Sequence, residues 1–140
     1  MEKKLQEKLY KKYPKIFADK DKPMTETCLC WGLDIGNGWE NLLDNLCGCI
    51  QGYIDNNKHL KISQIIAIQV KSKFASLRFY YNGGDAHIHG MVSLAEYQSY
   101  NTCEDCGKTG NDVKQNSGGW IVTLCKDCRK KNAKEKAISS

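Results

Sequence analysis

The chain has 140 residues, 41% hydrophobic and 26% charged, with a formal net charge of +5. That length suits one compact core, or a smaller core with an appended staple, and no stretch approaches the ~20 apolar residues of a membrane span. Met1 leads straight into Glu2-Lys3-Lys4 with no apolar run behind it, so no secretory signal is read and the eight cysteines are expected in a reducing cytoplasm.

Charge is concentrated at the ends. Residues 1–22 carry eight lysines and four acids, net +4, and residues 126–136 carry six Lys or Arg and two acids, again +4. The middle, 23–125, has seven basic and ten acidic side chains, net −3. Lysine-rich ends either grip phosphate backbones through counterion release or act as solvated faces.

In chain order, residues 2–13 read as a helix with Leu5, Leu9 and Tyr13 in one stripe, ended by Pro14. Ile16 and Phe17 follow as an anchor, then a polar linker to Pro23. The clearest helix runs from about residue 38 to 54. Trp39, Leu42, Leu43, Leu46, Cys47, Cys49, Ile50, Tyr53 and Ile54 fill one continuous arc at ~100° per residue, with Asn37 as expected N-cap.

Residues 65–70 and 77–81 read as strands, and Asn82-Gly83-Gly84-Asp85 as a turn into a further strand over 86–92. Ser93-Leu94-Ala95-Glu96 resembles a capping box opening a short helix over 94–100. The tail beyond Lys134 is expected to fray.

Cys103 and Cys106, then Cys125 and Cys128, form two Cys-x-x-Cys hooks 18 residues apart. This is the spacing of a tetrahedral zinc ribbon: each short hook turns two thiolates onto one ion, and a hairpin, with a strand read over 120–124 after Gly118-Gly119, returns the second hook. Two disulfides are the competing reading, and they need an oxidising compartment. One structural zinc would occupy all four thiols, leaving them no chemistry.

Four upstream cysteines invite a second metal. Cys47 and Cys49 lie ~200° apart on a helix and cannot share an ion; burial in the core accounts for them, and a mixed site of Cys28, Cys30 and one helix cysteine stays open. His87 and His89, read on a strand, would share one face beside Asp85, as a metal-hydrolase pair or as an exposed polar face. The stretch holding Lys71, Lys73, Phe74, Arg78, Phe79, Tyr80 and Tyr81 interleaves cations with aromatics, which suits phosphate contact and base stacking. On the 77–81 strand, Leu77, Phe79 and Tyr81 would face the core, leaving Arg78 and Tyr80 outward. Trp31 and Trp39, in a glycine-rich loop before the main helix, either stack on a base or seal the core. No P-loop, dinucleotide or Gly-x-Ser-x-Gly motif occurs, which argues against an ATPase, a dinucleotide enzyme or a serine hydrolase.

Tyr13-Pro14-Lys15-Ile16-Phe17, Cys28-Leu29-Cys30-Trp31-Gly32, Gly38-Trp39, Gln69-Val70-Lys71-Ser72-Lys73-Phe74, Leu77-Arg78-Phe79-Tyr80 and Gly119-Trp120 occur in an order that resembles a family of small uncharacterised phage and prophage proteins. The resemblance covers most of the chain. It departs at Ala75-Ser76, where Gly-Gly is common, and at Cys49. It implies a phage setting in the bacterial cytoplasm, where small basic proteins bind nucleic acid or host proteins, or sequester nucleotide signals. No reaction is implied.

The resulting expectation is an α+β fold: a small antiparallel sheet packed on an amphipathic helix (1–100), a zinc ribbon (101–131) and a basic tail (132–140). The expected function is non-enzymatic binding of a nucleic acid or phosphate-bearing nucleotide. Trp31, Trp39, Lys71, Lys73, Arg78, Tyr80 and the basic segment 129–131 are its candidate contacts, and no membrane partner is expected. Sequestration of a cyclic nucleotide signal, a host-protein module and a His-x-His metallo-hydrolase are the alternatives.

Overall fold

In the computed structural model, which describes residues 1–116 and 118–139, the chain folds as α+β around the helix that the sequence marks most strongly. Helix α2 (Glu40–Asn56) buries Leu43, Leu46, Cys47 and Ile50. Helix α1 (Lys3–Lys12) stops before Pro14 and lays Leu9 into the same core, and Ile16 and Phe17 are fully buried behind it. The Tyr13 hydroxyl donates to the Asp44 carboxylate, and the Lys12 amine stands 3.0 Å from the same group. Asn37 does not cap α2. It lies in a 3-10 turn ahead of it, and its side-chain oxygen accepts from the Glu2 backbone N–H at 2.8 Å, tying down the start of α1.

The main sheet has the order β1 (Leu33–Asp34), β2 (Ile66–Lys73), β3 (Ser76–Asn82). The β2–β3 hairpin is antiparallel, as expected, and β1 adds a short parallel edge. Ala67, Val70, Leu77 and Phe79 are buried on the inner face.

The expected strand over 86–92 is instead the first half of a helix, α3 (Ala86–Gln98). The cause is local: the Asp85 carboxylate accepts from the Ile88 N–H at 3.1 Å, capping a helix start, so the Gly83-Gly84 segment leads into a helix and not a hairpin. The hairpin turn lies earlier, at Phe74 and Ala75, which both take positive φ (51° and 63°). Two consecutive residues of that hand form a type I′ turn, a job usually given to Asn-Gly. Ser93 is therefore mid-helix and starts nothing.

In the C-terminal segment, β4 (Lys114–Gln115) pairs with β5 (Thr123–Leu124), and α4 (Lys126–Ser139) follows. The strand expected over 120–124 is only its last two residues, and the tail expected to fray is helical to Ser139.

This segment is seated firmly on the core. Gly38 N donates to Glu104 O at 2.7 Å, Gly36 N to the Glu104 carboxylate at 3.0 Å, and the Trp39 indole to Thr102 O at 2.8 Å. Thr123 is wholly buried, and its hydroxyl donates to Ala75 O at 2.5 Å, joining the segment to the hairpin tip. No helix of the described residues is long and apolar enough to cross a membrane.

Candidate metal centre and ligand-binding face

Cys103 and Cys106 flank a tight turn closed by the Gly107 N–H donating to Cys103 O at 2.9 Å, with Gly107 at positive φ as that turn requires. Cys125 lies between β5 and α4, and Cys128 sits in the first turn of α4. All four sulfurs lie within 4.8 Å of one another, and Cys106 Sγ is 3.7 Å from Cys125 Sγ. A tetrahedral tetrathiolate with ~2.3 Å metal–sulfur bonds has edges of ~3.8 Å, whereas a disulfide needs ~2.05 Å. The four thiols are free, so the disulfide alternative fails and the cluster can hold one metal ion. Burial opposes ionisation of Cys103, but backbone N–H groups of Cys125, Cys106 and Asp105 aimed at its sulfur bring it down to about 7. Without metal, this sulfur is a ready first ligand.

Arg129, expected among the phosphate-gripping residues, is engaged within this module: its guanidinium donates to Asp112 O at 2.8 Å and Leu124 O at 2.6 Å. Lys130 and Lys131 stay on the surface or near it.

The second metal site does not form. Among the described residues, no other group of three His, Cys, Asp or Glu side chains gathers within ligating reach. Cys28 and Cys30 are exposed on the 3-10 turn Cys28–Trp31, Cys49 is exposed on α2, and Cys47 is buried, which pushes its thiol well above the ordinary range.

The histidine pair also comes apart. On a helix, i and i+2 diverge by ~200°. His87 stacks on Tyr53 at 4.5 Å between ring centroids, while His89 Nδ1 meets the Tyr81 hydroxyl at 2.6 Å. The Tyr53 hydroxyl donates to Asp85 at 2.8 Å, so Asp85 serves as helix cap and tyrosine partner. Its carboxyl is held below the ordinary range, first by the Ile88 N–H. No shared coordination point exists for the two imidazoles.

The cation-aromatic stretch, in contrast, converges. Across the hairpin Lys71 is in register with Arg78 and Gln69 with Tyr80, so these four share the outward face, and Asp34 of β1 lies beside Lys71. The Lys71 amine sits 5.7 Å from the Tyr80 ring centroid, and the Lys73 amine 5.8 Å from that of Phe74. Lys71, Lys73 and Arg78 form no ion pair with a carboxylate among the described residues. The Arg78 Nε is shut off from solvent and has no hydrogen-bond partner among the described residues. An orphaned guanidinium N–H of this kind is costly unless something supplies an acceptor.

A groove of about 530 Å³ opens beside this face, between the hairpin tip, with Lys71, Lys73 and Phe74, and the loop of Gly119, Trp120 and Ile121. A second hollow, lined by Tyr80 and residues 24–28, shares Gln69 with it. The predicted contacts divide accordingly. Trp39 is wholly buried in the core and unavailable to a ligand; Trp31 is exposed but lines neither hollow. Phe74 and Trp120 take the place expected of the two tryptophans. Trp120 was read as part of a strand, and the only sequence hint of its exposure is the preceding Gly118-Gly119, both at positive φ.

No protein-family model, no curated protein and no solved structure matches this chain. Function therefore rests on the site.

Proposed function

We propose that this chain is a binding protein, built on one structural zinc, that holds a phosphate-bearing ligand, foremost nucleic acid, on the outward face of its main sheet. Zinc suits four thiolates in a closed tetrahedral set, and with no open position it would supply structure and no catalysis. Cys103, Cys106, Cys125 and Cys128 hold it. The observation that carries the binding reading is the gathering of Lys71, Lys73 and Arg78, none ion-paired among the described residues, on one face with Tyr80 and beside an open groove. Lys71 and Lys73 outnumber Asp34 among the side chains lining the groove, and Arg78 adds a cation to the same face; Glu26 lines the second hollow, and the Glu104 carboxylate is engaged by the Gly36 N–H and the Ser72 hydroxyl, so the groove itself favours anions. A groove open to solvent suits a polymer better than a closed pocket does. The sequence resemblance to phage proteins supports a setting of host takeover in the bacterial cytoplasm.

A second reading is sequestration of a small signalling nucleotide. A volume of about 530 Å³ falls within the range of small-ligand pockets.

Fluorescence anisotropy with a labelled oligonucleotide, repeated across salt concentrations, tests the proposal. Binding should weaken linearly in log–log form, and Lys71→Gln, Lys73→Gln and Arg78→Gln should each flatten the slope by about one. A cyclic dinucleotide titrated into the same protein tests the second reading. Salt-independent binding, or charge-removing variants that bind as the parent does, would remove the sheet face from consideration.

A further inference from the structure

We infer that the ligand of this face is single-stranded nucleic acid, with unpaired bases stacking on Phe74 from the hairpin and on Trp120 from the metal module. This rests on the proposed function and narrows its ligand class.

Phe74 is 68% exposed and Trp120 80% exposed, and both border the same groove. Neither exposure is incidental to a loose loop. Phe74 stands at φ 51° in the turn, a conformation that costs a non-glycine residue roughly 1–2 kcal/mol. A large ring held in water at a strained position marks a place where the ring itself is wanted. Trp120 is presented by a strapped loop. The Asn116 side-chain amide donates to Trp120 O at 2.9 Å and Gly118 O at 3.3 Å, and its carbonyl accepts from Val122 N at 2.7 Å. Both flanks of the tryptophan are thereby fixed while its ring stays free. The Thr123 hydroxyl then locks this module to the hairpin tip through Ala75 O, so the two rings belong to one rigid groove.

The chemistry of the partner follows from the rings. Aromatic faces lining one groove with Lys71 and Lys73, and Arg78 on the same sheet face, match a strand that alternates flat bases with phosphates. In a duplex each base face is covered by its neighbours, so the two rings find nothing to stack on and the phosphates are the groups left for the lysines. A mononucleotide offers one base to two rings. Every base has a π-face, so the preference is for strandedness and not for sequence.

The test uses the full, metal-loaded chain and three fluorescent probes: an oligothymidine of about a dozen nucleotides, its duplex with oligoadenosine, and an abasic oligomer of equal length. The single strand is expected to bind at least tenfold tighter than either other probe. Trp120→Ala and Phe74→Asn, the latter tolerating positive φ, should each lower single-strand affinity about 5- to 100-fold and leave the weak duplex binding as it was. Asn116→Ala should weaken single-strand binding with both rings still present, as befits a positioning residue. Intrinsic tryptophan fluorescence should be quenched by the strand in the parent and much less in Trp120→Ala. Equal affinity for duplex or abasic probe, or full single-strand affinity in both aromatic variants, overturns the stacking inference and leaves the phosphate reading standing. If no probe binds and a cyclic dinucleotide also fails to bind, the proposed function falls and the inference with it.

Discussion

The same chemical change, Gly to Ala, is expected to act in opposite directions at Gly38 and Gly52. A Cβ built on Gly38 falls 2.2 Å from Cys103 O and 2.6 Å from Glu104 O. These are backbone atoms of the metal module and cannot swing aside as a side chain can. Gly38→Ala must push the module back by about 1 Å to reach ordinary contact, which breaks the 2.7 Å bond from Gly38 N to Glu104 O. Overpacking costs roughly 1–3 kcal/mol and an orphaned buried hydrogen-bonding group about as much, giving a loss of about 2–6 kcal/mol. At ~3 °C per kcal/mol for a chain of this size, the melting temperature should drop by roughly 6–18 °C. At Gly52 a Cβ meets nothing within 4 Å, and an alanine within α2 should add about 0.5–1 kcal/mol of stability. Urea unfolding followed by far-UV circular dichroism measures both, with the m-value reporting whether unfolding stays cooperative. If Gly38→Ala unfolds at the same urea concentration as the parent, the module is not seated on the Gly36-Asn37-Gly38 loop and its role as one wall of the groove collapses.

Chelation should expose the four ligand thiols together, whereas Cys28, Cys30 and Cys49 react at once and buried Cys47 reacts only on unfolding; a thiol-reagent time course with and without chelator checks the partition. Metal loss should also abolish ligand binding, because Trp120 lies between the two hooks, and restoring zinc should recover it. Asp44 has its carboxyl lowered from 3.8 because the Tyr13 hydroxyl and Lys12 favour the ionised form more than burial opposes it. A carboxyl depressed on folding contributes stability that is present above about pH 4 and lost as pH falls through its folded value, so Asp44→Asn should lower stability near pH 7 and flatten the acid limb of stability against pH. Asp85→Ala removes the α3 N-cap and should lower the urea midpoint of unfolding, with no effect on oligonucleotide affinity.

The periodic and spaced features of this chain were legible without coordinates. Leu9, Tyr13, Ile16 and Phe17, the arc of α2 from Leu43 to Ile50, and the cysteine spacing each carry their own geometry, because a helical stripe or a paired hook is a property of near neighbours. The alternation within β3 likewise set Arg78 and Tyr80 apart from Leu77 and Phe79. Tertiary structure decided the rest. Only the register of β2 against β3 brings Lys71 beside Arg78. Phe74 and Ala75 form the hairpin turn without a glycine, so no turn signature marked it, and the Gly83-Gly84 pair drew the turn to the wrong place. Strand or helix over 86–98 was decided by the Asp85 carboxylate finding the Ile88 N–H. That contact drove His87 and His89 apart, onto Tyr53 and Tyr81. Trp39 and Trp120 look alike in the sequence, each following a glycine. One is sealed in the core because the Thr102 carbonyl awaits its indole. The other stands in water because Asn116 satisfies the backbone around it and leaves the ring unclaimed.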